Sequence, residues 1–320
     1  MKKLTLGIMA VAFALGVFGQ IGDNNPLIVS DNAFGSIKVD SKSEFTMVAA
    51  PFEGFASQFE SSAVNDGKPV ANAILARDVI AVENLSSSDT MHIFKPADQT
   101  IEGDVDDYHN YIATWGTYRV GASYWSYLTW AASVIFDDTN LNADKTPNAS
   151  DRLVPVGSGV FVGRDASNNP NEGFSIYAYG QIPRSFDLSQ AITVTIKAGT
   201  KSILSAPGEL AYLPVNLNAL DWGDNTTFNE VTGIERSGRL IGIGGTSDSI
   251  TYFDPDNQKQ WSFVRYKNMW RKRRGALGEQ NYNSLSLEDD AIVPAGLSFW
   301  YEREASSGDA SLTWKKASNE

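Results

Sequence analysis

The chain contains no cysteine in 320 residues and only two histidines, His92 and His109. The first absence excludes disulfide staples, a cysteine nucleophile and lipid attachment through cysteine, so stability has to come from packing. With two histidines at most, a Cys/His zinc site is excluded as well. A Ser-His-Asp arrangement would have to use His92 or His109, and neither lies near a Gly-x-Ser-x-Gly turn. Gly242, Gly244 and Gly245 lack the strand-to-helix context of a nucleotide loop and are read as strand and turn. Positive charge is also scarce: 26 Lys and Arg stand against 38 Asp and Glu, a formal net charge of −12. That balance repels nucleic acid and anionic lipid. Long apolar runs are missing too, since the single candidate, Leu4 to Phe18, falls short of the ~20 residues a spanning helix needs.

What the first residues do have is a basic start at Lys2 and Lys3, a short apolar middle and small residues around Gly16 and Gly19. This is the layout of a secretory signal peptide over 1–19, and it predicts an exported, extracellular or surface-held protein with no transmembrane segment after removal. About 300 residues then remain, enough for two domains of ordinary size.

The chain repeats itself. Ser88, Asp89, Phe94, Pro96 and Gln99 recur 159 positions later as Ser247, Asp248, Phe253, Pro255 and Gln258. LVPVGSGVFVGRDAS at 153–167 returns as IVPAGLSFWYEREAS at 292–306, which keeps Pro155/Pro294, Gly157/Gly296 and Arg164/Arg303 at an offset of 139. MVAAPFE at 47–53 answers ILSAPGE at 203–209. Three matching blocks in one order predict two diverged copies of a single domain.

Patterned segments at 36–41, 45–50, 78–84, 174–180, 191–199, 239–244 and 310–314 alternate or run short and apolar between turn residues, and helical periodicity is hard to find. The expected fold class is all-β: two antiparallel sandwich-like or open-barrel-like domains in tandem, the first over 20–190 and the second over 191–320, each with its own core. The Pro-x-Gly pattern reads as a turn before an aromatic strand enters the core, and Phe-x-Pro-x-x-Gln as a strand end followed by a hairpin turn.

The copies differ in length. From Gln99 to Leu153 is 54 positions and from Gln258 to Ile292 is 34, so the first copy carries 20 more. That stretch gathers Trp115, Tyr118, Tyr124, Trp125, Tyr127 and Trp130. Trp125, Tyr127 and Trp130 are candidate platforms for sugar rings, with core filling as the competing reading. Asp137, Asp138, Asn140, Asn142 and Asp144 form an oxygen-rich run that suits calcium by ligand type but lacks the glycine and closing glutamate of an EF-hand. It is read as a solvated loop, and no metal or cofactor is assigned. The second copy has a basic cluster, Arg265, Lys267, Arg271, Lys272, Arg273 and Arg274 with Trp270 inside it, that could recognise a polyanion, dock on an acidic patch of another copy through Arg271, Lys272, Arg273 and Arg274, or be balanced by Glu288, Asp289 and Asp290.

With its basic start, FGSIKV, the strand ending in APFE, Ser-Asp before an aromatic strand, Pro-x-Gly before an aromatic pair and YAYGQ, the chain resembles a group of uncharacterised exported bacterial tandem β-repeat proteins over residues 34 to 316. That resemblance implies export and tandem β domains and brings no activity, ligand or catalytic residue. The leading expectation is a non-catalytic surface or extracellular structural protein that engages copies of itself or cell-envelope components. A polysaccharide-binding protein using Trp125, Tyr127 and Trp130 is the alternative, and a carboxylate-based glycosidase or lyase the third.

Overall fold

The fold is mostly β, with several antiparallel sheets and one short helix, α1 at Ala56–Phe59. In the computed structural model, the described residues are 34–42, 44–60, 64–83, 89–94, 108–120, 123–132, 153–164, 173–183, 191–223 and 228–315, with backbone alone described at 64, 93–94, 108–120 and 123–132. The strands are β1 Phe34–Ser41, β2 Phe45–Ala50, β3 Ala73–Leu75, β4 Ala81–Val82, β5 Thr90–Phe94, β6 Tyr108–Val120, β7 Ser123–Ala132, β8 Leu153–Pro155, β9 Ser158–Gly163, β10 Phe174–Gln181 and β11 Ile192–Ile196. They continue with β12 Lys201–Leu204, β13 Val215–Asn216, β14 Thr232–Arg236, β15 Arg239–Gly244, β16 Ser249–Phe253, β17 Gln260–Tyr266, β18 Met269–Lys272, β19 Ser284–Ser286, β20 Ile292–Val293, β21 Phe299–Glu302 and β22 Ala310–Trp314.

Ten of these strands form one sheet in the order β18-β17-β16-β21-β12-β9-β5-β6-β7, with β2 also paired to β9. Its two ends are assembled with the same register. β2 sets Met47 opposite Phe161 on β9, and β12 sets Ile203 opposite Trp300 on β21. β5 sets His92 opposite Phe161, and β16 sets Thr251 opposite Trp300. Each pair maps onto the other through the sequence offsets of the repeated blocks. Across the middle the ends trade bonds: Ala49 donates its N–H to the Gly296 carbonyl, and Ser205 donates to Gly157.

Alternation explains which side chains reach the core. On β9, Val160 and Val162 are fully buried while Phe161 between them is half-exposed; on β21, Phe299 and Tyr301 are buried while Trp300 is half-exposed. The aromatics after the Pro-x-Gly turns therefore do not all enter the core, because a period of two sends each neighbour to the opposite face. The turns themselves form as expected, with Gly157 at φ +89° and Gly296 at φ +74°, backbone conformations open to glycine. In the second copy the Phe-x-Pro-x-x-Gln block is also a hairpin turn, closed where the Asp254 N–H donates to the Lys259 carbonyl, and the first copy's 95–99 lies outside the described residues.

Residues from 34 onward belong to one compact unit, and its main core takes Ile37, Val160 and Ile176 together with Leu204, Phe263, Tyr301 and Trp314, thus from both sides of position 190. A smaller cluster, Val231, Leu240, Val264 and Leu285, lies under β14, β15 and β19. The segment 78–84, expected as a strand, holds only the two-residue β4, because a 3₁₀ turn occupies Ala76–Asp78. The segment 191–199 does form a strand, β11, which pairs along its length with β22.

Candidate functional site

The repeated Asp and Arg residues are a structural device. Arg303 and Asp248 form an ion pair with both side chains wholly buried. Tyr301 Oη and the Glu304 N–H also donate to that carboxylate, each at 2.9 Å, and Arg303 Nε and Nη2 donate to the carbonyls of Gly308 and Ser307. Burial, and then the charge of Asp248, push the Tyr301 hydroxyl far above its ordinary range. The equivalent positions, Asp89 and Arg164, pair at 3.9 Å with Asp89 fully buried. Arg164 lies 4.6 Å from the Phe174 ring centroid, as Arg303 lies 4.9 Å from that of Phe228.

On the other face of the sheet, the half-exposed rings converge. Phe161 meets Phe253 edge-on at 5.6 Å and stacks on Phe45 at 5.3 Å, with the His92 ring 5.8 Å away. Between Phe161, Phe253 and Trp300 lies a cavity of about 370 Å³ with Thr251, Gln260, Lys201 and Glu302 on its wall. Lys201 and Glu302 are opposite one another on β12 and β21, and Lys201 Nζ lies 3.4 Å from Glu302 Oε1. Gly159 lets the strands close up beside it, since a Cβ there would come within 2.3 Å of Ile203 and Ser298. The cavity therefore offers aromatic faces, a hydroxyl, an amide and one ion pair. No residue of this cleft stood among the expected binding residues, although the repeated Phe161 and Trp300 combined with strand alternation identify its centre.

The basic cluster of the second copy is largely occupied within its own fold. Arg271 donates to the Leu287 carbonyl at 2.6 Å, and Arg273 donates to the Tyr282 carbonyl while stacking 4.3 Å from the Tyr282 ring centroid. Lys272 Nζ sits 4.2 Å from the Trp261 ring centroid, and burial lowers its pKa against the opposing pull of Asp289 and Asp254. Arg274 is the exposed member. Trp125, Tyr127 and Trp130 lie on β7, in register with Tyr118, Gly116 and Ala113 of β6; their side chains fall outside the described residues. So do Asp137, Asp138, Asn140, Asn142 and Asp144 and the segment 1–19. Among the described residues, no group of three or more His, Asp or Glu is placed to hold a metal ion, and no helix is long and apolar enough to cross a membrane.

Compared with protein-family models, curated proteins and solved structures, the chain matches none.

Proposed function

We propose that this is an exported, non-catalytic glycan-binding protein, built from two copies of one β unit, which seats its ligand on the open sheet face at Phe161, Phe253 and Trp300. The observation that carries the reading is the cleft of about 370 Å³ between those rings. Its size falls within the range of small-ligand sites, and half-exposed aromatic faces beside a few polar groups suit a sugar, whose apolar face stacks while its hydroxyls bond at the rim. Lys201, Glu302, Gln260 and Thr251 supply that rim. Among the described residues Glu302 is the one carboxylate on the wall and is already paired with Lys201, whereas glycoside hydrolysis needs two acids flanking the bond.

Support for duplication comes from the shared register of β2–β9–β5 and β12–β21–β16, the repeated Asp–Arg pair and the repeated glycine turns. Export rests on the basic and apolar layout of residues 1–19. Affinity electrophoresis through gels holding different neutral polysaccharides tests the reading. At least one should retard the wild type, and Trp300→Ala should abolish the retardation; equal migration of the two proteins in every gel would overturn it.

Self-assembly is the second reading, favoured by the exposed rings of Phe34, Tyr177 and Tyr179 on the outer face of β1 and β10. Concentration-dependent light scattering that drops on Tyr179→Ser would support it, and a monomer at all concentrations would exclude it. The occupied basic cluster offers it little, since Arg271 and Arg273 already bond within the chain.

A further inference from the structure

Arg265 follows Phe263 on the inward face of β17 and is only 6 % exposed. Its guanidinium lies 4.3 Å from the Phe228 ring centroid and 5.3 Å from that of Trp270, yet it makes no side-chain hydrogen bond or ion pair with any described residue, and its buried Nε is unsatisfied. The acids around it are committed elsewhere. Asp248 is held by Arg303, Tyr301 and the Glu304 N–H, and Glu230 accepts the N–H groups of Lys267 and Asn268 at the tight β17–β18 turn. Cation–π contact offsets only part of the desolvation of an arginine, and a buried donor without an acceptor is a rare feature of folded proteins.

That arginine lines a cavity of about 620 Å³. Trp222 and Phe228 form apolar parts of its wall, Asn268 is an exposed residue of the lining whose side-chain amide bonds no described residue, and Asp221 is engaged by Lys315 and the Gly223 N–H. We infer that this cavity is a ligand site for a single carboxylate carried on a small hydroxylated ring, the chemistry of a uronic acid. The Arg265 fork receives the carboxylate in the bidentate geometry arginine favours, the Trp222 and Phe228 walls meet the ring, and Asn268 reaches a hydroxyl. Two carboxylates on the wall, Asp221 and Glu230, against one unpaired cation disfavour ligands of higher negative charge such as phosphate. The site is separate from the cleft at Trp300 and stands without it.

Titration of the full chain with D-galacturonate, read by tryptophan fluorescence and calorimetry, tests the inference, with D-galactose, sulfate and phosphate as matched probes. Saturable galacturonate binding in the millimolar range or tighter is expected, with galactose, sulfate and phosphate each at least tenfold weaker. Arg265→Met should lose the binding, Asn268→Ala should weaken it a few-fold, and Trp300→Ala should leave it intact. No galacturonate binding by the wild type, equal binding of galactose or sulfate, or an unchanged affinity in folded Arg265→Met would each overturn it. If Arg265→Met fails to fold, the wild-type preference and Asn268→Ala decide.

Discussion

The two ends of the large sheet use the same Asp–Arg pairing at different distance and burial. In the second, Asp248 is buried with Arg303, a tyrosine hydroxyl and a backbone N–H around it. In the first, Asp89 is buried but Arg164 sits farther off, at 3.9 Å, and is 12 % exposed. The position of Tyr301 is Val162 in the first, so the tyrosine hydroxyl has no counterpart at that position. One register is thus kept with a tyrosine beneath the pair at one end and a valine at the other.

The largest expected effect comes from breaking the pair that is wholly buried. Asp248→Ala strands a buried guanidinium and should lower stability by about 3–5 kcal/mol. Asp89→Ala should lower it by about 1–2 kcal/mol, since Arg164 keeps some solvent. Urea midpoints at constant slope measure both, and equal losses would remove the distinction.

The glycine turns sharpen the same comparison. A Cβ on Gly296 would come within 2.9 Å of Ile37, whereas one on Gly157 would meet nothing closer than the Ser205 carbonyl at 3.6 Å. Both substitutions to alanine strain a positive φ, at about 1–2 kcal/mol each, and Gly296→Ala should cost the more of the two.

At the aligned strand positions, alkali should act on the second end. Burial, and then Asp254, push the Tyr252 hydroxyl up to about 12, and Tyr301 is raised further still, while the aligned positions in the first end are Ile93 and Val162. The folded state therefore holds protons that the unfolded state releases above its ordinary tyrosine pKa of about 10. The native form binds more protons in that window, so the contribution of these tyrosines is full below about pH 10 and is lost as pH rises from about 10 to about 12 and beyond. Tyr301→Phe should flatten part of that fall in melts taken across the window. The smallest effect belongs to the exposed Lys201–Glu302 pair, where Glu302→Gln should change stability by less than about 0.5 kcal/mol.

Much of the sheet was legible in the sequence because period-two alternation and turn glycines are local signals, as at 45–50, 174–180 and Gly157. The repeated Asp89 and Asp248 were visible as repeats, but their partners stand 75 and 55 positions further on, at Arg164 and Arg303, and only tertiary pairing brings them together. The basic cluster was legible as charge; that Lys272 and Arg273 lie on aromatic rings depends on Trp261 and Tyr282, which strand pairing and a turn deliver. The cleft escaped for the same reason, since Phe161, Phe253 and Trp300 come from β9, β16 and β21.

Acrylamide quenching of tryptophan fluorescence, with and without a polysaccharide that retards the protein, tests the central claim most directly. The account predicts that bound glycan shields the wild type and that Trp300→Phe loses this shielding. Identical protection in the two proteins would place the ligand elsewhere and contradict the assignment of the open sheet face.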